Sequence, residues 1–258
     1  MADRPAIVMI HGMWTTGRCF DRLRAHFEAR GHRVLTPTLP YHDIAPDDPP
    51  PPGIGTASLL DYADALEEEI LAFDRDAVLI GHSMGGFLAQ KLAARGLGSA
   101  LVCLAPAPSA GMFPFLPDPT KIFLRTIRRI DFWRRPIKGR WEVARWGIFN
   151  AGVPEEEARR EFARQVWESG RVLFEFSCWY LDGDRAAAVN RDRIRMPVLI
   201  VIGSQDRITP VPWARSAARR FEGRARYQEY PEFGHWLIGE PALPTVTRRI
   251  EHFLATGL

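Results

Sequence analysis

Cysteine is scarce in this chain, whose 258 residues include three: Cys19, Cys103 and Cys178. An odd and widely spaced set does not match a disulfide framework, which uses an even number of cysteines to staple a small domain. Unpaired thiols are typical of a reducing compartment. We therefore predict a cytoplasmic protein without a disulfide framework.

Long apolar runs are also missing, because no stretch reaches the ~18 residues from which a membrane-spanning helix is inferred. The chain enters a strand-like run at Ala6, which leaves no room for the parts of a signal peptide, so we expect none. The net charge of +3 is mild and does not predict a nucleic-acid partner. There is no His-Glu-x-x-His motif and no cysteine cluster, so we predict no metal.

Short apolar runs alternate with amphipathic helical patterns over most of the sequence. We predict strands at 6–10, 32–37, 77–80, 99–106, 196–204 and 225–232, and helices at 19–31, 58–73, 84–95, 210–223 and 241–257. This alternation indicates an α/β fold, with a mostly parallel twisted sheet of about six strands and helices on both faces. The last strand is the most polar and is expected near an edge.

Residues 107–195 interrupt the alternation and hold five of the eight tryptophans, Trp133, Trp141, Trp146, Trp167 and Trp179. The helical patterns in this segment lie at 119–130, 136–149, 154–169 and 171–181. We interpret 1–106 and 196–258 as an α/β core domain and 107–195 as a helical cap, or lid, over one end of the sheet.

Ser83 stands in the sequence Gly81-His82-Ser83-Met84-Gly85, between a predicted buried strand and a predicted helix. A nucleophilic serine at such a turn needs glycine two residues to either side, where a side chain would collide with the strand and the helix. The following helix adds a positive N-terminal end near the reacting atoms. The context favours a nucleophile over a simple loop turn.

A serine nucleophile needs a base, and the base needs an orienting group. Asp206 follows the fifth predicted strand and His235 follows the sixth, so the order Ser83, Asp206, His235 is that expected of the fold. We predict these three as catalytic residues. The rival histidines and acids are expected to be solvated, capping or otherwise structural: His26, His32, His42, His252, Asp182, Asp184 and Asp192.

An oxyanion hole needs two N–H donors. The backbone of Met84, directly after the nucleophile, is one candidate, and the backbone of Met13, in the loop after the first strand, is the other. Gly12 allows that loop to turn inward. For His11 we favour a structural role, holding the loop by hydrogen bonds, over a chemical one.

Four motifs make the sequence resemble the α/β-hydrolase family: "HGMW" at 11–14, "GHSMGG" at 81–86, "GSQDRITP" at 203–210 and "GHW" at 234–236. The resemblance covers about 1–106 and 196–258, and the segment between corresponds to the family's variable cap. It implies a first strand between the second and the third. The chain departs from the family by lacking the usual initial antiparallel strand pair. Serine at the nucleophile position argues against dehalogenase and epoxide-hydrolase chemistry.

The leading interpretation is a capped serine hydrolase, of esterase or lysophospholipase type, that cleaves a carboxylic ester through an acyl-enzyme intermediate and needs no cofactor. Hydrolysis of a carbon–carbon bond, thioester hydrolysis and perhydrolysis would use the same triad and stay open. A non-catalytic small-molecule-binding protein of this fold is a further alternative, which the presence of all three residues disfavours.

Aromatic residues are the main clue to the substrate. We predict that Trp14 and Trp236, each beside a catalytic motif, bind the substrate, which is a lipophilic ester with an apolar acyl or alcohol group. The remaining cap aromatics are expected mostly in packing roles: Phe113, Phe115, Phe123, Phe132, Phe149, Phe174, Phe176 and Tyr180. The basic stretch 121–145, which includes Arg128, fits a solvated helix face better than a membrane contact. The oligomeric state stays open.

Overall fold

Six parallel strands form the central sheet in the computed structural model of the protein, which describes residues 4–112, 116–127, 129–221 and 223–257. Within these residues there are eight strands: β1 (Ile7–Ile10), β2 (Val34–Leu35), β3 (Val78–His82), β4 (Ala100–Leu104), β5 (Pro136–Ile137), β6 (Glu168–Ser169), β7 (Val198–Gly203) and β8 (Ala225–Tyr230). The order across the sheet is β2-β1-β3-β4-β7-β8, and β5 and β6 form a separate antiparallel pair. The predicted fold class is confirmed.

The four central strands β1, β3, β4 and β7 bury every one of their residues. Their sequences are continuous apolar runs rather than alternating patterns, as expected for parallel strands covered on both faces. The polar strand β8 lies at an edge, as predicted. Strand β1 lies between β2 and β3, as the resemblance implied, so the loops that follow β1 and β3 are neighbours.

Five helices accompany the sheet strands within the described residues: α1 (Asp21–Glu28), α2 (Leu59–Phe73), α3 (Met84–Ala94), α8 (Val211–Arg219) and α9 (Leu243–Gly257). Ser58 caps the N-terminus of helix α2: its side chain accepts from Leu60 N–H, while Asp61 accepts from Ser58 N–H. This reciprocal arrangement is a capping box. In the part of the chain that is described, no helix is long and apolar enough to cross a membrane.

Residues 107–195, which we call the cap segment, contribute no described strand to the six-stranded sheet. Its helices are α4 (Pro117–Thr126), α5 (Trp141–Gly147), α6 (Glu155–Ala163) and α7 (Gly170–Ser177). The helix expected over 154–169 ends at Ala163, because the chain then turns to form strand β6. Phe113, Phe115 and Arg128 lie outside the described residues, and the division of the chain into core and cap domains stays a prediction.

Candidate active site

Ser83 lies at a sharp turn between β3 and α3, with φ 55° and ψ −120°. Positive φ is unusual for a residue with a side chain and costs about 1–3 kcal/mol. Hydrogen bonds hold the strained residue on both sides, because Ser83 N–H donates to Leu104 O (2.9 Å) while Ser83 O accepts from Ala107 N–H (2.9 Å). The strand-to-helix turn predicted around Ser83 is therefore present.

Gly81 and Gly85, two residues to either side of Ser83, leave no room for a side chain. A Cβ atom on Gly81 would overlap the carbonyl group of Gly85, and one on Gly85 would overlap the carbonyl group of Ile10. Both obstacles are backbone atoms, which cannot rotate away as a flexible side chain would. The two glycines thus let β3 and α3 meet closely and keep Ser83 at the end of the strand.

His235 and Asp206 form a buried pair beyond the ends of β8 and β7. The His235 Nδ1–H donates to Asp206 Oδ2 at 2.8 Å, and both residues are at most 5% exposed. This bond fixes the imidazole so that Nε2 is its free nitrogen. The residues predicted as base and orienting group are therefore brought together from positions 29 residues apart.

The Asp206 carboxylate is held mainly by its own turn. Its Oδ1 accepts from the backbone N–H groups of Ile208 and Thr209, both at 2.8 Å, and Oδ2 lies 2.8 Å from the Thr209 hydroxyl. Burial by itself would raise the pKa of Asp206, but the neighbouring His235 and the hydrogen bonds from His235 and Thr209 outweigh it and lower the pKa. Asp206 is therefore ionised near neutral pH.

His82, for which the sequence predicted no role, contacts the backbone of His235. Its Nε2–H donates to the carbonyl oxygen of His235 at 2.9 Å, and the two rings lie 4.9 Å apart. Burial and the proximity of His235 lower the pKa of His82 to about 3, so His82 is neutral. Its place between Gly81 and Ser83 was the available signal, but that position accepts many residue types.

The loop after β1 passes directly beside Ser83. A Cβ atom on Gly12 would lie 3.0 Å from Ser83 Cβ and 3.6 Å from Ser83 Oγ, so the backbone of this loop approaches the nucleophile closely. Met13 and Met84 both line the larger cavity together with Ser83. Their role as donors of the oxyanion hole stays a prediction.

His11 holds this loop in place. Its Nδ1–H donates to Gly12 O at 2.9 Å, and its Nε2 accepts from Leu39 N–H at 3.0 Å. Burial, followed by repulsion from His42, lowers the pKa of His11 to about 3. A neutral histidine with both nitrogens occupied fits the structural role that the sequence analysis favoured.

Two adjoining cavities meet at Ser83. The smaller, of about 50 Å³, is lined by Ser83, His235, Trp236 and Trp14. The larger, of about 140 Å³, lies between the core and the cap segment and is lined by Trp14, Ser83 and mostly apolar groups. Both tryptophans predicted to bind substrate therefore border the site, Trp14 on both cavities and Trp236 beside His235.

The cap aromatics divide between the cavity and packing, as expected. Phe123, Phe176 and Trp179 line the larger cavity. Phe132 and Phe149 are buried, and Phe174 contacts Phe132 and Trp133. The cap aromatics that line the larger cavity therefore come from α4 and from α7 with the turn that follows it.

No group of three His, Cys, Asp or Glu side chains in the described part of the chain is arranged to hold a metal ion. Of the rival acids, Asp182 is buried rather than solvated, because it pairs with Arg171 at 2.6 Å and caps Ala186 N–H. Of the rival histidines, His42 is completely buried against Glu168. Neither residue belongs to the cavity that holds Ser83 and His235.

Two curated proteins of named activity are similar to this chain. It is 27% identical over 260 aligned residues to the pimeloyl-[acyl-carrier protein] methyl ester esterase of Aromatoleum aromaticum, covering 90% of this chain and 92% of that protein. It is 34% identical over 83 residues to the pyrethroid hydrolase of Sphingobium wenxiniae, a match that spans 31% of this chain and 27% of that protein.

A solved structure and a family model extend the comparison to the whole fold. The monoacylglycerol lipase of Paleococcus ferrophilus matches with a TM-score of 0.72 at 17% identity, over 99% of this chain and 96% of that one, which speaks for the fold alone. The model described as "Alpha/beta hydrolase family" matches residues 7–246. Since that match spans both parts of the sheet and the segment between them, the chain belongs to the alpha/beta hydrolase family.

Proposed function

We propose that this protein is a serine hydrolase that cleaves a carboxylic ester. The observation that carries the proposal is the His235–Asp206 hydrogen bond of 2.8 Å beside a cavity whose wall also includes Ser83. A base oriented by a buried carboxylate, next to a serine on a strained turn, is the arrangement that activates a hydroxyl group. The curated relatives, by their names, are an ester-cleaving enzyme and a hydrolase.

In the proposed reaction Ser83 Oγ attacks the ester carbonyl while His235 Nε2 takes the hydroxyl proton. The oxyanion that forms binds the N–H groups of Met13 and Met84. His235 then gives its proton to the departing alcohol, which leaves an acyl group on Ser83. His235 next takes a proton from water, whose oxygen attacks the acyl carbon. The bond from that carbon to Ser83 Oγ then breaks, His235 returns the proton to Oγ, and the acid is released. Asp206 stays ionised throughout and stabilises the imidazolium.

The walls of the larger cavity support a lipophilic substrate. Met112, Ile122, Phe123, Leu173, Phe176 and Trp179 contribute apolar side chains to it. Burying a methylene group among such side chains contributes ~0.8 kcal/mol, so each carbon added to a fitting acyl or alcohol group should strengthen binding. Trp14 and Trp236 border the reacting atoms and would limit the size of the group nearest the carbonyl.

The first test is covalent labelling of the folded protein with a fluorophosphonate, followed by intact-mass measurement. We expect one adduct per chain in the wild type and none in Ser83→Ala, which leaves the fold intact. Ser83→Ala should also lower kcat by roughly 10⁴- to 10⁶-fold. An unlabelled wild-type protein with a normal melting curve would contradict the proposal and favour a binding protein.

The second test is a series of p-nitrophenyl esters of increasing acyl length. We expect kcat/KM to rise with chain length until the cavity is filled and then to fall. Failure of the labelled protein to cleave any ester would redirect the proposal to carbon–carbon or thioester hydrolysis by the same serine.

A further inference from the structure

Glu168, in strand β6 of the cap segment, carries a completely buried carboxylate that bonds to three separate parts of the core. The Tyr62 hydroxyl of α2 donates to Oε1 at 2.9 Å. The His42 Nε2 lies 3.2 Å from Oε2, and the backbone N–H of Trp14 lies 3.4 Å from the same oxygen. An isolated buried carboxylate is very costly, so this one depends on its partners.

The Trp14 contact joins Glu168 to the loop beside the nucleophile. Trp14 has φ 62°, an uncommon conformation for a residue with a large side chain. The cap segment holds both backbone polar groups of Trp14, because Trp14 O accepts from Val166 N–H at 2.8 Å while Trp14 N–H donates to Glu168. Met13, the neighbouring residue, carries one of the two N–H groups that we predict to bind the oxyanion.

His42 links Glu168 to the same loop by a second route. Its Nδ1–H donates to Pro40 O at 2.9 Å, and its ring lies 5.4 Å from that of His11, which holds Gly12 O. Burial disfavours a charged His42, but the adjacent Glu168 carboxylate outweighs burial and raises the pKa of His42. Glu168 therefore supports the loop through the Trp14 peptide and through the His42–His11 contact.

We propose that Glu168 is a positioning residue for the oxyanion hole, acting from the cap segment through the Trp14 peptide on the N–H of Met13. This inference rests on the proposed serine hydrolase function. It gives the cap segment a part in stabilising the transition state as well as in forming the cavity. An N–H group that binds only the oxyanion affects kcat more than substrate binding.

The test compares Glu168→Gln with Glu175→Gln in the full chain. Glu175 is a matched control, since it is also completely buried in the cap segment and also accepts a core N–H, that of Leu59 at 2.8 Å. In the part of the chain that the structure describes, its two carboxylate oxygens accept from Leu59 and Arg171 and not from the loop after β1. Both variants lose one buried charge and keep nearly the same shape.

For Glu168→Gln we expect kcat on a p-nitrophenyl ester to fall roughly 10- to 100-fold while KM changes less than about threefold. The rate of fluorophosphonate labelling should fall by a similar factor. For Glu175→Gln we expect kcat, KM and the labelling rate each to stay within about threefold of the wild-type value, whatever the melting temperature of the variant.

Equal losses of kcat in the two variants would overturn the positioning role, because a general loss of packing would then explain both. A rise in KM alone would overturn it as well. If Glu168→Gln does not fold, Tyr62→Phe keeps the carboxylate and removes one donor, and an unchanged kcat there overturns the role. If fluorophosphonate does not label Ser83 in the wild-type protein, that result would instead overturn the proposed hydrolase function and, with it, this inference.

Discussion

Two buried carboxylate–histidine pairs border the loop after β1. In the Asp206–His235 pair the N···O distance is 2.8 Å, and His235 lines the smaller cavity together with Ser83 and residues of that loop. Glu168 and His42 join the cap segment to the core at 3.2 Å, and neither side chain is exposed. The chemical groups are nearly the same, but only the first pair presents a free imidazole nitrogen to a cavity.

The two pairs differ in where their hydrogen bonds come from. Ile208 and Thr209, the residues that hold Asp206 besides His235, lie only two and three positions after it in the chain. Apart from the adjacent Ser169 N–H, which donates to Oε1 at 2.6 Å, the partners of Glu168 are 106 to 154 residues away in the chain. The carboxylate of Asp206 is held by neighbours in the same turn, so it keeps its position when distant elements shift. Glu168 reaches its partners in the core only when the cap segment packs against the core.

The largest effect should follow from changing the core pair. Asp206→Asn removes the charge that orients and stabilises His235, so kcat should fall roughly 10⁴-fold. The comparison variant Asp192→Asn alters an exposed acid in the cap segment and should leave kcat within about twofold. Steady-state ester hydrolysis measures both. A nearly neutral Asp206→Asn would show that another acid orients His235.

The next effect concerns stability rather than chemistry. Glu168→Ala would leave His42 and the Tyr62 hydroxyl buried without their acceptor, and we expect a loss of about 3–5 kcal/mol in the free energy of unfolding. Glu28→Ala breaks the exposed Arg24–Glu28 pair and should cost about 0.3–0.5 kcal/mol. Urea unfolding near pH 6.5 compares them. Similar losses would mean that the buried pair contributes no more than a surface pair.

The smallest effect is a pH dependence that separates the two pairs. The pKa of His42 is raised in the folded state, so its contribution to stability is complete below about pH 6.5, the ordinary histidine value, and is lost as pH rises through the higher folded pKa. The groups facing His42 are Glu168, Tyr62 and His11. The Asp206–His235 pair behaves differently. Because the pKa of Asp206 is lowered in the folded state, its contribution to the free energy of unfolding is lost only as the pH falls into the acid range.

The measurement is the free energy of unfolding of the wild type and of His42→Gln at pH 6 and pH 9. We expect the difference between the two proteins to be larger at pH 6 than at pH 9. A difference that stays constant or grows with pH would show that His42 is neutral in the folded protein and that Glu168 is held by neutral donors alone.

Much of the core was predictable from the sequence, because buried parallel strands have continuous apolar sequences that end at turn residues. The predicted strands at 6–10 and 196–204 lie within two residues of the ends of β1 and β7. The cap segment was harder, since its helices are short and the pairing of β5 with β6 joins residues about 30 positions apart. The expected helix over 154–169 was wrong at its end for this reason.

The candidate site shows the same division. Ser83, Asp206 and His235 each follow a strand, and the carboxyl ends of parallel strands lie along one edge of the sheet. His82 and Thr209 left no comparable signal, although they sit beside predicted residues. Glu168 left no signal in the sequence, because a single glutamate between tryptophan and serine looks like any exposed acid. Its role depends on Tyr62, His42 and Trp14, which surround it only in the folded protein.

The sequence by itself determined where the buried strands form and where the turn at Ser83 lies, because apolar runs and glycine spacing act over a few residues. Only the tertiary structure decided which aromatics line the cavity and which buried histidine faces the serine. Those outcomes depend on contacts between residues far apart in the chain, such as Trp14 with Glu168. Local patterns do not encode such contacts, since many partners would satisfy the same short-range rules.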